Sequence, residues 1–123
     1  MVHETIKPAV FPYSVADTEE GPIIEWSDQT LILKFTDYTN KKYALMFEGV
    51  YHFGLFSDSK EESNRYIYDG ACEIKNSNVI SRLRECNEIT ETEKTKSKHI
   101  VIGFNEISSY LEIVHQGMKE IDA

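Results

Sequence analysis

The chain has few cysteines, and their placement bears on its compartment. It contains two, Cys72 and Cys86, which do not form a Cys-x-x-Cys pair. Secreted domains of this size usually carry a dense disulfide framework. We therefore expect a cytoplasmic protein in which both thiols are reduced, buried and chemically quiet, packing as small hydrophobic side chains.

The common catalytic motifs are also missing. The six glycines form neither a Gly-x-Gly-x-x-Gly loop nor a Walker motif, and there is no Gly-x-Ser-x-Gly or His-Glu-x-x-His sequence. The four histidines, at positions 3, 52, 99 and 115, are never three to five residues apart, as zinc ligands usually are. We therefore predict no metal, no cofactor and no catalytic residues, and we expect that the protein is not an enzyme.

Long apolar runs are absent as well. Residues 1–8 lack the apolar segment of a signal peptide, and no stretch approaches the roughly 20 apolar residues of a membrane span. The 123 residues suit a single domain. We assign residues 1–123 to that domain and treat residues 1–20 as an irregular N-terminal arm, with one short strand near Val10–Val15.

What is present favours a sheet. Apolar residues make up 41% of the chain, and it contains seven tyrosines and six phenylalanines. Such a composition supports a packed, strand-rich core. The clearest pattern is a hairpin in which Leu31, Leu33 and Phe35 alternate with other residues, and Tyr43, Leu45 and Phe47 do so again after an Asp-Tyr-Thr-Asn turn.

Further strands and one helix complete the predicted fold. The helix extends from a cap at Asn76 or Ser77 to Cys86, with Val79, Ile80 and Leu83 on one face. Polar residues 88–98 read as a mobile loop. The fold class is α+β: a mainly antiparallel sheet of about six or seven strands with one principal helix packed against it. Its remaining strands are predicted at residues 23–26, 65–68, 71–75, 99–104 and 110–114, with a hairpin turn at Asp69-Gly70. The second strand of the first hairpin is expected to bend at Gly49 and continue through residues 50–53.

Charge is unevenly distributed along the chain. There are 21 acidic and 13 basic residues, a formal net charge of −8, which disfavours nucleic-acid and membrane binding. Residues 1–28 carry six acids and one lysine, and residues 99–123 carry four acids and one lysine. These two segments either meet in one acidic patch that attracts a basic partner or form two separate solvated ends. The candidate partner-binding residues are the acids Asp17, Glu19 and Glu20 and the aromatics Tyr51, Tyr66 and Tyr68.

Three segments resemble a known group of proteins. They are LILKFTDYTNKKYALMFEGV, CEIKNSNVISRL and HIVIGFNEISSYLEIV, within residues 23–115. Their order is similar to that of small bacterial immunity proteins of polymorphic toxin systems. The resemblance implies a non-enzymatic protein that binds and neutralises a cognate toxin. It transfers no binding residue, because such proteins vary most where they contact their toxin.

These observations lead to one functional hypothesis and two alternatives. The hypothesis is an immunity-type protein that inhibits a basic partner, such as a nuclease toxin, through an acidic surface with aromatic anchors. The first alternative is a structural or regulatory module that self-associates through sheet edges, which would make the protein a homo-oligomer. The second is a small-molecule binder or small enzyme with an unrecognised pocket.

Overall fold

The computed structural model describes residues 3–15, 18, 20–57, 70–104 and 109–123, with residues 20 and 21 described by their backbone only. These ranges contain nine strands and two helices. In chain order they are β1 (Thr5–Pro8), β2 (Glu20–Ser27), β3 (Thr30–Thr36), β4 (Lys42–Glu48), β5 (His52–Phe56), β6 (Gly70–Lys75), α1 (Asn78–Glu85), α2 (Glu91–Lys96), β7 (Lys98–Phe104), β8 (Ser109–His115) and β9 (Gly117–Ile121).

The strands form two sheets. Sheet A has the order β1-β6-β7-β8-β5 and sheet B the order β2-β3-β4-β9, and every pair is antiparallel. The predicted α+β class with antiparallel pairing is therefore confirmed. The prediction of a single sheet with one principal helix is wrong, because the strands divide into two packed sheets and there are two helices.

The division between the sheets occurs at Gly49. We expected the strand to bend there and continue, but β4 ends at Glu48 and β5 pairs with β8 in the other sheet. Gly49 has a φ of 60°, and a side-chain carbon there would lie 3.0 Å from the side chain of Gln116, so glycine suits this position.

Beyond Gly49, the next two residues bond one sheet each. Val50 N donates to Gln29 O in the β2–β3 turn. Tyr51 N donates to Val114 O in sheet A.

The main core lies between the two sheets. Its sheet B members are the alternating residues of the predicted hairpin, which is confirmed: Leu33 pairs with Leu45 and Leu31 with Phe47. Sheet A contributes Ile100, Ile102, Phe104, Leu111 and Ile113, all buried in the same cluster. Period-two alternation therefore supplies one apolar face from each sheet, as in other β-sandwiches.

Two tight turns hold sheet B in register. Asp28 and Gln29 connect β2 to β3 with φ values of 47° and 61°, the double positive φ of a type I′ hairpin turn. In the turn from β3 to β4, the Asp37 carboxylate accepts hydrogen bonds from the backbone N of Thr39 and of Lys41, each at 2.9 Å. These bonds replace ladder bonds where the chain reverses.

Helix α1 packs as predicted on the outer face of sheet A. Its cap is Ser77, whose Oγ accepts a hydrogen bond from Ile80 N at 3.2 Å. Ile80 and Leu83 are buried beside Val114, with Val79 half-buried against them. The spacing of these apolar residues therefore identified the buried face of the helix correctly.

Helix α2 lies within residues 88–98, so the prediction of a loop there is wrong. Thr90 and Glu93 form a capping box, in which the side chain of each bonds the backbone N of the other. The Thr-x-x-Glu spacing was the available signal. This spacing occurs in a polar run whose acidic and basic residues balance. Helix α2 has no buried residue, so there was no hydrophobic periodicity from which to predict it.

The N-terminal arm contains a strand at a different place from the one predicted. Strand β1 spans Thr5–Pro8 and pairs with β6, whereas residues 10–15 form no strand. Within that stretch, Phe11 and Tyr13 pack against the core. The final strand β9 was not predicted. The proposed strand at residues 65–68 and its turn residue Asp69 lie outside the described residues.

The two cysteines differ in exposure. Cys72 is 2% exposed, but Cys86 is exposed at the C-cap of α1, so the prediction that both are buried is wrong. The helix ends one residue early, because Asn87 adopts a φ of 58°, the left-handed conformation that terminates many helices. Cys86 still donates its backbone N–H to Arg82 O, but its side chain is exposed.

We expect one thiol to be labelled quickly in the folded protein. A maleimide should react with Cys86 and leave Cys72 unmodified until denaturant is added, because access limits the reaction of a buried thiol. Mass spectrometry of the native protein should show a single adduct, and Cys86→Ser should show almost none. Two rapid adducts in the folded wild type would contradict the burial of Cys72.

Among the described residues, no helix is long enough to cross a membrane. Helix α1 has eight residues and α2 has six, whereas a helical span needs about 20.

Candidate functional site

Two edge strands border the same side of the sandwich and create an apolar opening. Strand β2 is the edge of sheet B and β5 the edge of sheet A. The rings of Trp26 and Phe53 bridge them, with centroids 4.9 Å apart. Trp26 is 47% exposed and Leu55 is 53% exposed. On their outer sides, neither strand pairs with any strand in the described ranges.

The strand register explains why these side chains meet. Trp26 pairs with buried Leu31 and therefore belongs to the inward face of sheet B. Phe53 pairs with Ile113 and Leu55 with Leu111, which puts both on the inward face of sheet A. At the edge no described strand lies beyond them, so side chains patterned for the core remain partly in water. Exposed apolar groups of this kind are typical of interaction sites.

A groove of about 430 Å³ adjoins this opening. We call it the edge groove. It is lined by Trp26, Gln29, Val50, Tyr51, His52, Phe53 and Glu88. The crossover at Gly49 shapes the groove, because the chain passes from sheet B to sheet A through Val50 and Tyr51. Val50 is buried in the core between the sheets, whereas Tyr51 packs beside Val114 in the cluster that includes α1. Three of the seven lining residues are aromatic, as is typical of protein-binding surfaces.

Tyr51 is the predicted anchor that the structure places in the groove. Its side chain is half-buried, and its hydroxyl donates to Glu93 Oε2 at 2.5 Å while accepting from Gln116 Nε2 at 3.1 Å. The hydrogen bond to Glu93, together with burial, raises the pKa of Tyr51 to about 12. The phenol therefore stays neutral at physiological pH, and its ring is held against α2.

The other predicted site residues are not brought together by the described structure. Asp17, Glu19, Tyr66 and Tyr68 lie outside the described residues. Glu20 begins β2 opposite Thr36, and its side chain is not described. Their roles stay predictions.

Three described acids of the two terminal segments, Glu25, Glu112 and Glu120, lie on different parts of the molecule. Glu25 is on the outer face of sheet B, paired with Lys34 at 2.8 Å. Glu112 is on the outer face of sheet A, on the opposite side of the sandwich. Glu120 is on β9, at the far edge of sheet B from β2. For these residues, the alternative of separate solvated ends fits better than one acidic surface.

Behind His52 is a polar network that sequence reasoning missed. His52 Nε2 lies 3.1 Å from Glu112 Oε1, and His99 Nε2 lies 3.2 Å from the same oxygen. His99 Nδ1 contacts Ser77 Oγ at 2.7 Å, which links the network to the cap of α1. The four residues are far apart in sequence, so only the strand register could have shown that His99 and Glu112 share the outer face of sheet A.

Glu112 is the charged centre of this network. Its contact with His52, then that with His99, lowers the pKa of its carboxyl to about 2 in spite of partial burial. The His52 contact has hydrogen-bond geometry, whereas His99 Nε2 is at ion-pair distance without such alignment. We therefore assign the stronger bond to His52, so the carboxylate helps fix one wall of the edge groove.

The Ser77–His99–Glu112 order resembles a nucleophile, base and orienting acid, but its setting is structural. Ser77 is 5% exposed, and its oxygen already accepts the helix-capping bond. A serine nucleophile must reach substrate. Within the described part of the chain, no cluster of three or more histidine, cysteine or acidic side chains could hold a metal ion.

We expect Glu112→Gln to flatten the acid dependence of stability. A carboxyl with a folded-state pKa of about 2, against an ordinary value of 4.5, stabilises the fold above pH 4.5. This contribution is lost as pH falls towards 2. Urea unfolding from pH 6 to pH 2 should show a smaller loss in the variant than in the wild type. Glu25→Gln, which alters an exposed ion pair, should leave the wild-type slope nearly intact; equal slopes for the wild type and Glu112→Gln would contradict the assignment.

Comparison of the chain with protein-family models, curated proteins and solved structures finds no significant match.

Proposed function

We propose that this protein is a non-enzymatic protein-binding domain whose partner docks on the edge groove and the adjoining edge strands. The observation that supports this most directly is the exposure of Trp26 and Leu55 beside two strand edges that pair with no strand in the described ranges. Leaving such side chains in water is unfavourable, and covering them would favour association. Aromatic residues at the centre of an interface contribute most of the binding energy in many complexes.

The charge of the chain favours a basic partner. The net charge is −8, and among the described residues the lining of the edge groove includes Glu88 but neither lysine nor arginine. Glu93 lies directly behind Tyr51, and Asp28 is exposed in the turn next to Gln29. Such a surface would attract a cationic protein from a distance and accelerate its association.

The specific form of the proposal is an immunity-type protein that neutralises a cognate basic toxin. The support is the sequence resemblance described above together with the charge and the groove. Neutralisation would be steric and electrostatic: the apolar opening holds the partner while the acidic surroundings cover its cationic active site. No chemistry by this chain is required.

Self-association is the second candidate function, and one observation favours it. Unpaired edge strands can pair with a second copy of the same chain. Within the part of the chain that the structure describes, β2 and β5 present two such edges on one side. A dimer formed in this way would cover Trp26 and Leu55 without any other partner. Its signature is a mass that rises with protein concentration in the absence of a second protein.

Co-expression tests the proposal. The gene adjacent to that of this protein should encode a toxin, and the protein should protect cells that express it and bind it at micromolar concentration or tighter. If it neither protects the cells nor binds, the immunity-type function fails. A concentration-dependent mass for the isolated protein would then make self-association the leading account.

A further inference from the structure

A second groove, on a different part of the molecule, has the opposite charge. It lies where the end of β6 meets α1, α2 and the start of β7, and it encloses about 400 Å³. Its lining comes from residues 73–78, 80, 81 and 94–98, and it shares no residue with the edge groove. Because this groove contains lysines, we call it the lysine groove.

Four of the ten lysines of the chain line this groove: Lys75, Lys94, Lys96 and Lys98. Among the described residues that line it, Glu73 alone is acidic, and it pairs with Lys75 at 2.9 Å. The other three lysines form no ion pair with any residue in the described ranges. Like charges repel, so this concentration of unpaired lysines in a protein of charge −8 favours an anionic ligand.

The neutral residues of the groove suit a polar ligand. The side chains of Ser81 and Asn78 can donate hydrogen bonds to such a ligand, in addition to those from the lysine ammonium groups. The N-terminus of α1 already has a carboxylate partner, because Asn78 N donates to Glu4 Oε2 at 2.8 Å. The attraction for an anionic ligand therefore comes from the lysines and not from the helix terminus.

The lining also distinguishes a small anion from an acidic protein. In the described part of the chain it contains no aromatic residue, and its two isoleucines, Ile74 and Ile80, are buried. Protein partners usually need an apolar or aromatic anchor at the centre of the contact, which this groove does not offer. Its volume falls in the range of small-molecule sites, and several ammonium groups together match the multiple charges of phosphate groups.

We propose that the lysine groove binds a small phosphate-bearing molecule, with Lys94, Lys96 and Lys98 contacting the phosphate oxygens. This inference goes beyond the proposed protein-binding function and does not depend on it. Binding would be electrostatic and would therefore weaken as salt is added. A ligand with two or more linked phosphates should bind more tightly than orthophosphate, because it can engage several lysines at once.

Titration with pyrophosphate and with ATP, followed by amide chemical shifts, tests this proposal. The shifts should map to residues 75–81 and 94–98, with half-saturation below about 1 mM at low salt. Lys94→Gln combined with Lys96→Gln should weaken binding by about tenfold. The matched control, Lys34→Gln with Lys42→Gln, removes the same charge from sheet B and should change affinity less than about twofold.

Three results would overturn the proposal. They are no saturation with either ligand, equal losses in the two double variants, and binding of poly-glutamate as tight as that of pyrophosphate, which would indicate an acidic peptide site. ATP binding much tighter than pyrophosphate would support the site and show that the nucleoside contributes. Toxin binding should be unchanged in Lys94→Gln with Lys96→Gln, so failure of this site is distinguishable from failure of the edge groove.

Discussion

Phe47→Ala should lower the free energy of unfolding by about 3–5 kcal/mol. Phe47 is fully buried between the sheets, pairs with Leu31 and packs its ring against His115 at a centroid distance of 5.1 Å. Truncation removes the transfer free energy of the ring and leaves a cavity that two packed sheets cannot fill by local collapse. Equilibrium urea denaturation measures the loss.

The neighbouring residue supplies a matched control. Met46 is on the same strand but faces the outside of sheet B and is half-buried. Met46→Ala should cost about 1 kcal/mol or less, because surface positions contribute little. Similar losses for the two variants would mean that both faces of sheet B are covered to the same degree, which the two-sheet architecture does not allow.

Trp26→Ala should weaken binding of the protein partner by about 2 kcal/mol or more, which is roughly 30-fold. The ring of Trp26 packs at a tilt against that of Phe53, and nearly half of the surface of Trp26 stays available to a partner. Loss of an apolar anchor should act mainly by speeding dissociation, while the rate of association should follow the surrounding acids and the salt concentration. Surface plasmon resonance with the co-expressed toxin separates these two rates.

Tyr38→Ala is the control for this effect. Tyr38 is 61% exposed in the turn between β3 and β4 and is not part of the edge groove. Its replacement should leave both rates within about twofold of the wild type. Equal losses of affinity for Trp26→Ala and Tyr38→Ala would mean that the partner does not dock on the edge groove. Tyr51→Ala is a less specific test than Trp26→Ala, because it also releases Glu93 and Gln116.

The sequence predicted correctly those parts of the fold that depend on a local pattern of residues. The alternation in β3 and β4 identified the residues of the inward face, and the spacing of Ile80 and Leu83 identified the buried face of α1. The two-sheet arrangement was missed because it depends on partners far apart in the chain. Near Gly49, alternation continues while the chain changes sheets, and periodicity does not contain that information.

The candidate site was predicted only in part, for a similar reason. Tyr51 was proposed as an anchor because of its residue type, and the structure places it in the edge groove. Trp26 was predicted only as part of the strand over residues 23–26. Its exposure follows from the position of β2 at a sheet edge next to β5, which is a property of strand order. The network around Glu112 likewise depends on the register of three different strands.

Amide hydrogen exchange on a complex with the proposed toxin partner tests docking on the edge groove most directly. We expect slower exchange on binding in two segments, residues 23–29 and 50–56, which contain the edge strands and most of the edge groove. The distant strands β1 and β9 should exchange as they do in the free protein. Protection confined to β1, β9 or the outer face of sheet B, with residues 23–29 and 50–56 unchanged, would contradict the claim that the partner docks on the edge groove.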